Sequence, residues 1–138
     1  MTQENAIRLA YISTLLDGGY TAIANAEPII NPKSGYVVGG AWKESTMPTL
    51  RARTNPISHY AQFKELWLEC ADHVERIWGI GMGVGTWIHK SKIYFDVVEL
   101  FDDIKGASFH AKQRGEIAIY DCENQKEIVI NPIKVKVL

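Results

Sequence analysis

The acidic residues of the last third come first, because Asp96, Glu99, Asp102, Asp103 and Asp121 gather there. A metal-dependent nuclease needs carboxylates converging at strand ends with a lysine nearby, and Asp103-Ile104-Lys105 matches a fragment of that pattern. Asp102 and Asp103 have a simpler use, since aspartates at a helix start satisfy its free N–H groups. Asp96 stands apart, mid-strand between Phe95 and Val97, where acids are unusual. Alternation places it with Tyr94 and Val98, on the face opposite Phe95 and Val97. An outward Asp96 is the plain expectation; an inward one needs a partner such as a tyrosine hydroxyl or an arginine.

Other residues of chemical type read more simply. Gly79-Ile-Gly-Met-Gly-Val-Gly85 suggests a phosphate loop, yet the order is helix, glycines, strand, and the position three beyond Gly81 is Val84. That order fits neither a dinucleotide fingerprint nor a P-loop, so a flexible or closely packed connection is expected. Glu65, Glu69, Asp72 and His73 share parts of one helical face without a His-x-x-x-His or Glu-x-x-His pattern, which reads as a solvated, ion-paired surface with no metal. His59, His89 and His110 have no nucleophile beside them and read as surface or capping residues. Cys70 and Cys122 show no metal or redox spacing and are expected to be buried free thiols. No catalytic motif and no cofactor fingerprint emerges.

The binding candidates are Tyr36, Trp42, Arg51 and Arg53, joined by Trp87, Tyr94 and Asp96 on a later hairpin. Aromatic side chains beside arginines can build a pocket wall or a protein-recognition patch. The plain alternative makes Tyr36 and Trp87 core residues and the arginines ordinary loop solvation.

These residues must be held by elements the pattern defines. A helix is predicted from Thr2 to Leu16, with Leu9, Ile12 and Leu16 as its apolar stripe and Asp17-Gly18-Gly19 as its end. Residues 20–34 are rich in turn formers, with a short extended piece at Ile29-Ile30. A strand follows over Gly35–Trp42, where Gly39-Gly40 marks a bulge or a close backbone approach. Residues 43–58 read as loop, with a short strand over Leu50–Arg53. Tyr60, Phe63, Trp67, Cys70, Val74 and Ile77 then recur at three- and four-residue intervals, which predicts a long amphipathic helix running from Ser58 or Asn55-Pro56 to Gly79. The remainder reads as a β-β-α-β-β unit: strands at 84–88 and 92–100, a helix opened by Asp102-Asp103 and closed by Gly115, and a hairpin of 116–121 with 127–130. A half-exposed strand over Ile133–Val137 ends the chain. The expected fold is α+β, with helices on a mainly antiparallel sheet, in a single domain over 1–138.

Composition supports that frame. The 138 residues are 46% hydrophobic with a net charge of −1. That is too apolar for a disordered chain and too neutral for a general nucleic-acid binder. No run is long enough for a membrane span and the start lacks a signal-peptide layout, so a cytoplasmic protein is expected. Unpaired strand edges and abundant aromatics are compatible with a homodimer.

Two stretches resemble small uncharacterised proteins of phages and other mobile elements, including gene-cassette products. One runs from Gly18-Gly19 and Thr21 to Ser34-Gly35-Tyr36-Val37-Val38-Gly39. The other comprises Gly85-Thr86-Trp87, Lys92–Val97, Phe101-Asp102-Asp103, Ile117–Asp121 and Glu127-Ile128. Together they cover about half the chain; the helix at 103–115, with Gly106 and Gly115-Glu116, departs from the pattern. The resemblance implies an accessory protein of a mobile element and carries over no catalytic residue. The expected function is therefore adaptor-like binding of a protein partner or of a second copy. The alternative is a small-ligand binder or minor enzyme, with a cleft between the long helix and the sheet lined by Asp96, Tyr94 and an arginine.

Overall fold

The structure, a computed structural model, describes residues 3–24, 29–41, 49–51, 56–77, 81–89 and 92–130. In chain order the elements are α1 (Gln3–Asp17), β1 (Gly19–Ile23), β2 (Ile29–Ile30), β3 (Tyr36–Val38), β4 (Thr49–Arg51) and α2 (Pro56–Ile77). They continue as β5 (Met82–His89), β6 (Lys92–Phe101), α3 (Ile104–Arg114), β7 (Ala118–Asp121) and β8 (Lys126–Val129). The strands form one antiparallel sheet in the order β2-β1-β5-β6-β3-β7-β8, with β4 also paired to β6. The α+β class and the C-terminal β-β-α-β-β unit are as the sequence predicts.

Side-chain alternation along β6 assigns the two faces of the sheet. Ile93, Phe95 and Val97 point one way and pack under Phe63, Trp67, Cys70 and Val74 of α2 and Ile7 and Ala10 of α1. The Phe63 ring lies 5.0 Å from Phe95 and 6.0 Å from Trp67, so the predicted stripe of α2 is the stripe that is buried. Register pairs Tyr36 with Phe101 and Val38 with Glu99, which puts β3 residues on the same face, and there they pack against Ala107 and Ala111 of α3. All three helices thus cover one face. On the other, Ile23, Val37, Val98 and Cys122 form a smaller cluster. Gly83, paired with both Ile23 and Val98, lets those two side chains meet across it. A Cβ there would lie 2.7 Å from the Ile23 Cα, so no other residue fits without moving β1.

Several expectations change at this point. Helix α1 buries Ile7, Ala10 and Thr14, whereas the predicted stripe faces outward, with Ile12 52% and Leu16 79% exposed. The small residues win because they allow close approach to the sheet: Thr14 Oγ1 lies 2.6 Å from Thr86 Oγ1 of β5 and donates to the Ala10 carbonyl. Strand β1 arises inside the stretch read as turns, because β5 supplies a partner for all five of its residues. His59 is no surface residue: it is 3% exposed, its Nδ1 2.7 Å from the Tyr11 hydroxyl. His110 is half-buried and stacks on Phe101 at 4.8 Å. Helix α3 is closed as expected, with Asp103 accepting the Gly106 N–H and Gly115 left-handed at φ 71°. Trp78, the Gly79 helix stop and the strand at 133–137 lie outside the described residues, as does the His89 side chain.

The α1 assignment is checked by two substitutions. Ile7→Ala is expected to cost about 2–4 kcal/mol in urea unfolding, and Leu16→Ser less than about 0.5 kcal/mol.

Candidate functional site

The outer edge of β6 is held in two separate places. Strand β4 pairs with Lys92–Tyr94 and strand β3 with Glu99–Phe101. Between them the chain at Gly39-Gly40-Ala41 leaves the ladder and runs past the middle of β6, where the Ala41 N–H donates to the Val97 carbonyl at 3.1 Å. Asp96 sits in this interval. It is 6% exposed, and its Oδ2 accepts the Gly40 N–H at 3.0 Å. The partners of this inward aspartate are therefore backbone amides, that of Gly40 from 56 residues away and that of Val97 next to it, rather than a tyrosine or arginine.

Glycine is required here for space and for geometry. A Cβ on Gly39 would meet Asp96 Oδ2 and come within 2.7 Å of Glu116 Oε1. Gly40 has φ +65°, and a Cβ there would lie 3.1 Å from Glu116 Oε2. Two carboxyl groups thus close on one Gly-Gly step. Arg114, at the end of α3, donates to the Gly39 carbonyl at 3.4 Å, forms an ion pair with Glu99 and lies over the Phe101 ring.

Electrostatics follow from this crowding. Burial pushes the Asp96 carboxyl up to about 6, and the negative charge of Glu116 adds to the rise. The Gly40 and Val97 N–H groups and Arg114 act the other way without cancelling it. Burial also lifts the thiols, Cys70 to about 12 and Cys122 to about 11. Both are buried and free, so they are protonated, poor nucleophiles near neutral pH.

The sequence candidates divide into groups. Trp87 and Tyr94 are cross-strand partners on the face away from the helices, stacked at 4.8 Å with 25° between their planes. Asp96 follows Tyr94 on that face. Tyr36 does not join them, since it belongs to the α3 cluster. Trp42 and Arg53 lie outside the described residues; of Arg51 only the backbone is described, at the register position opposite Lys92. The space between α2 and the sheet is filled by Phe63, Trp67, Phe95 and Val97, and Tyr94 and Asp96 point away from it. The acids read as a nuclease fragment are dispersed: Asp103 caps α3, Glu99 pairs with Arg114, and Asp121 accepts from Glu123, Asn124 and the Asn124 side chain. Among the described residues, no group of three or more His, Cys, Asp or Glu is placed to hold a metal ion.

Sequence reasoning missed Glu116 and Arg114. The doublet Gly39-Gly40 did signal a close approach, but nothing in the local sequence says what approaches it. No family model matches the chain, and neither curated proteins nor solved structures supply a match. Among the described residues no helix is long and apolar enough to cross a membrane.

The raised Asp96 carboxyl fixes a sign. The folded state holds the proton more tightly than the unfolded chain between about pH 4 and 6, so stability falls as pH rises through that window. An asparagine in its place would keep the acceptor for Gly40 and carry no charge beside Glu116. Asp96→Asn is therefore expected to stabilise the protein at pH 7.5 by about 1–3 kcal/mol, and to have little effect at pH 4, as read by thermal unfolding at both pH values.

Proposed function

We propose that this protein acts by binding, as a cytoplasmic accessory or adaptor of a mobile genetic element, and that its partner is an acidic, partly apolar segment of another protein. The observation that carries the reading is the aromatic pair on the helix-free face. Trp87 is 39% exposed although it stacks on Tyr94, so a flat indole is presented on the paired strands β5 and β6. Tryptophan and tyrosine held in this way are the commonest anchors of protein recognition, because they offer large contact area with little rotamer entropy to lose.

The sign of the partner's charge comes from the neighbourhood. Exposed Lys92 lies two residues before Tyr94 on β6, and Arg51 occupies the register position opposite it, with Arg53 two residues further along the chain. A cation beside an aromatic anchor, as Lys92 is here, favours an acidic partner and speeds its encounter. The mobile-element setting rests on the resemblance of the 18–39 and 85–128 stretches.

A selection from a library of short random peptides tests this. The wild-type chain is expected to enrich peptides that combine Asp or Glu with an aromatic or aliphatic residue. Trp87→Ala should weaken the selected peptides at least about tenfold, and Arg51→Glu with Arg53→Glu should reverse the charge preference. Peptides without acids, or affinities indifferent to Trp87, would refute the reading. Sedimentation velocity separates the other occupant: a dimer abolished by Trp87→Ala would assign the patch to a second copy of the chain.

A further inference from the structure

We propose that the outer face of α1 is a self-association surface, on which a second copy of the chain lays its own α1 antiparallel across a two-fold axis. The surface stands independently of the binding reading above. Helix α1 covers one side of the sheet, and Trp87 and Tyr94 project from the other.

Helix α1 is apolar on two opposite sides. Ile7, Ala10 and Thr14 face the sheet. Leu9, Ile12 and Leu16, three and four residues apart, line the outward side, with Leu15 beside them. Even the least exposed of these, Leu9 and Leu15, are 38% and 43% exposed. Among the described residues, four of the ten large apolar side chains left exposed lie on this one helix, so they form a patch rather than a scatter. Helix propensity does not account for them, because Ala, Glu or Lys at an outward position serves a helix as well as Leu and better than Ile. A surface helix ordinarily turns polar residues outward.

The charges near the patch select its occupant. Glu4 Oε2 lies 3.1 Å from Lys64 Nζ of α2 and accepts the Tyr60 hydroxyl at 3.0 Å. Arg8 lies 3.7 Å from Glu4, with its guanidinium carbon 4.8 Å from the centre of the Tyr60 ring. Both charges are thus engaged toward α2, to one side of the stripe, and Asn5 and Ser13 at its margins are uncharged. A near-neutral apolar face has no charge with which to choose an acidic or basic partner, and two copies of it meet without repulsion. The antiparallel arrangement sets Leu9 of each copy against Ile12 of the other. It also brings Asp17, the last residue of α1, beside the start of the other helix, where the helix dipole favours an acid.

Area sets the strength. The four side chains expose on the order of 400 Å², a size at which an apolar patch marks a contact surface. A two-fold contact buries that patch twice, and with the polar margins the total reaches about 1,000 Å², the lower bound for a specific interface. The dimer is therefore weak, with a dissociation constant on the order of 10–100 μM. Folding energies measured well below that concentration report the monomer. Little order is lost on docking, because α1 is already fixed: Thr14 is bonded to Thr86 of β5, and the Tyr11 ring lies 5.0 Å from Phe63. One consequence rests on the binding reading: pairing through α1 leaves both Trp87–Tyr94 pairs open, so a dimer engages two acidic segments at once.

Sedimentation velocity of the full chain from about 1 to 500 μM tests the proposal. The wild type is expected to pass from monomer to dimer across that range. Ile12→Glu and Ile12→Lys should each remain monomeric, and their equimolar mixture should regain the dimer, because the two side chains meet near the axis. Trp87→Ala should leave the dimer intact while abolishing peptide binding, so failure of the binding reading and failure of this one give different results. Leu9→Ser, which adds no charge, should weaken the dimer at least about tenfold, and it decides the matter if an Ile12 variant fails to fold. A wild type that stays monomeric throughout would overturn the surface. So would a dimer that survives Ile12→Glu or is lost in Trp87→Ala, or a mixture that stays monomeric. Binding of a monomeric wild type to phosphatidylcholine vesicles, lost in Ile12→Glu, would assign the stripe to a lipid surface and equally overturn it.

Discussion

The contact between one face of β6 and the apolar stripe of α2 organises the molecule. Ile93, Phe95 and Val97 project at every second residue, and Phe63, Trp67, Cys70 and Val74 recur every third or fourth, so a period of two meets a period of 3.6 over about three turns. Once that face is committed to the helices, the alternate residues of β6 have no choice. Tyr94, Asp96 and Val98 must lie on the other side, whatever their chemistry. An aspartate is carried to the middle of a sheet by its apolar neighbours, and its charge has then to be managed there. The aromatic pair of Trp87 and Tyr94 owes its outward position to the same commitment.

Glycines set what the second face can be. Gly83 and Gly85 of β5 lie opposite Val98 and Asp96, and neither fills the space in front of its partner. Gly39 and Gly40 do the same from the other edge, where β3 has ended and β4 has not begun. The side chains on this face therefore settle into gaps left by backbone, which is why Val98 can reach Ile23 and why Asp96 can accept a backbone N–H. The glycine-rich run after α2, suggestive of a phosphate loop, serves packing within the sheet at the two glycines of β5.

The features legible in the sequence are those whose cause is local. The stripe of α2, the alternation of β6, the Asp103 and Gly115 ends of α3 and the burial of both cysteines all follow from residues near one another in the chain. The stripe of α1 misleads because large apolar residues are not what fits beside β5; Ile7, Ala10 and Thr14 are. Strand β1 carries no clean alternation, and its existence depends on β5, more than sixty residues later. The setting of Asp96 is likewise non-local. Its amide partner comes from before β4 and Glu116 from after α3, so a reading along the chain can place the aspartate on a face but not say what meets it there.

The hydrogen bond to Gly40 does not by itself explain an acid at position 96. Asparagine, or a water in a slightly wider gap, would satisfy the same N–H without a buried charge. An ionised carboxyl in this position works against stability at neutral pH, and the nearby Glu116 makes it worse, since removing either charge relieves the other. Arg114, which could have neutralised Asp96 directly, is aimed at Glu99 and the Gly39 carbonyl instead. The arrangement keeps the backbone pinned while setting the buried acid beside a like charge. What distinguishes aspartate from its neutral counterpart here is that burial makes its ionisation costly, and the charge of Glu116 adds to that cost while the Gly40 and Val97 N–H groups offset part of it.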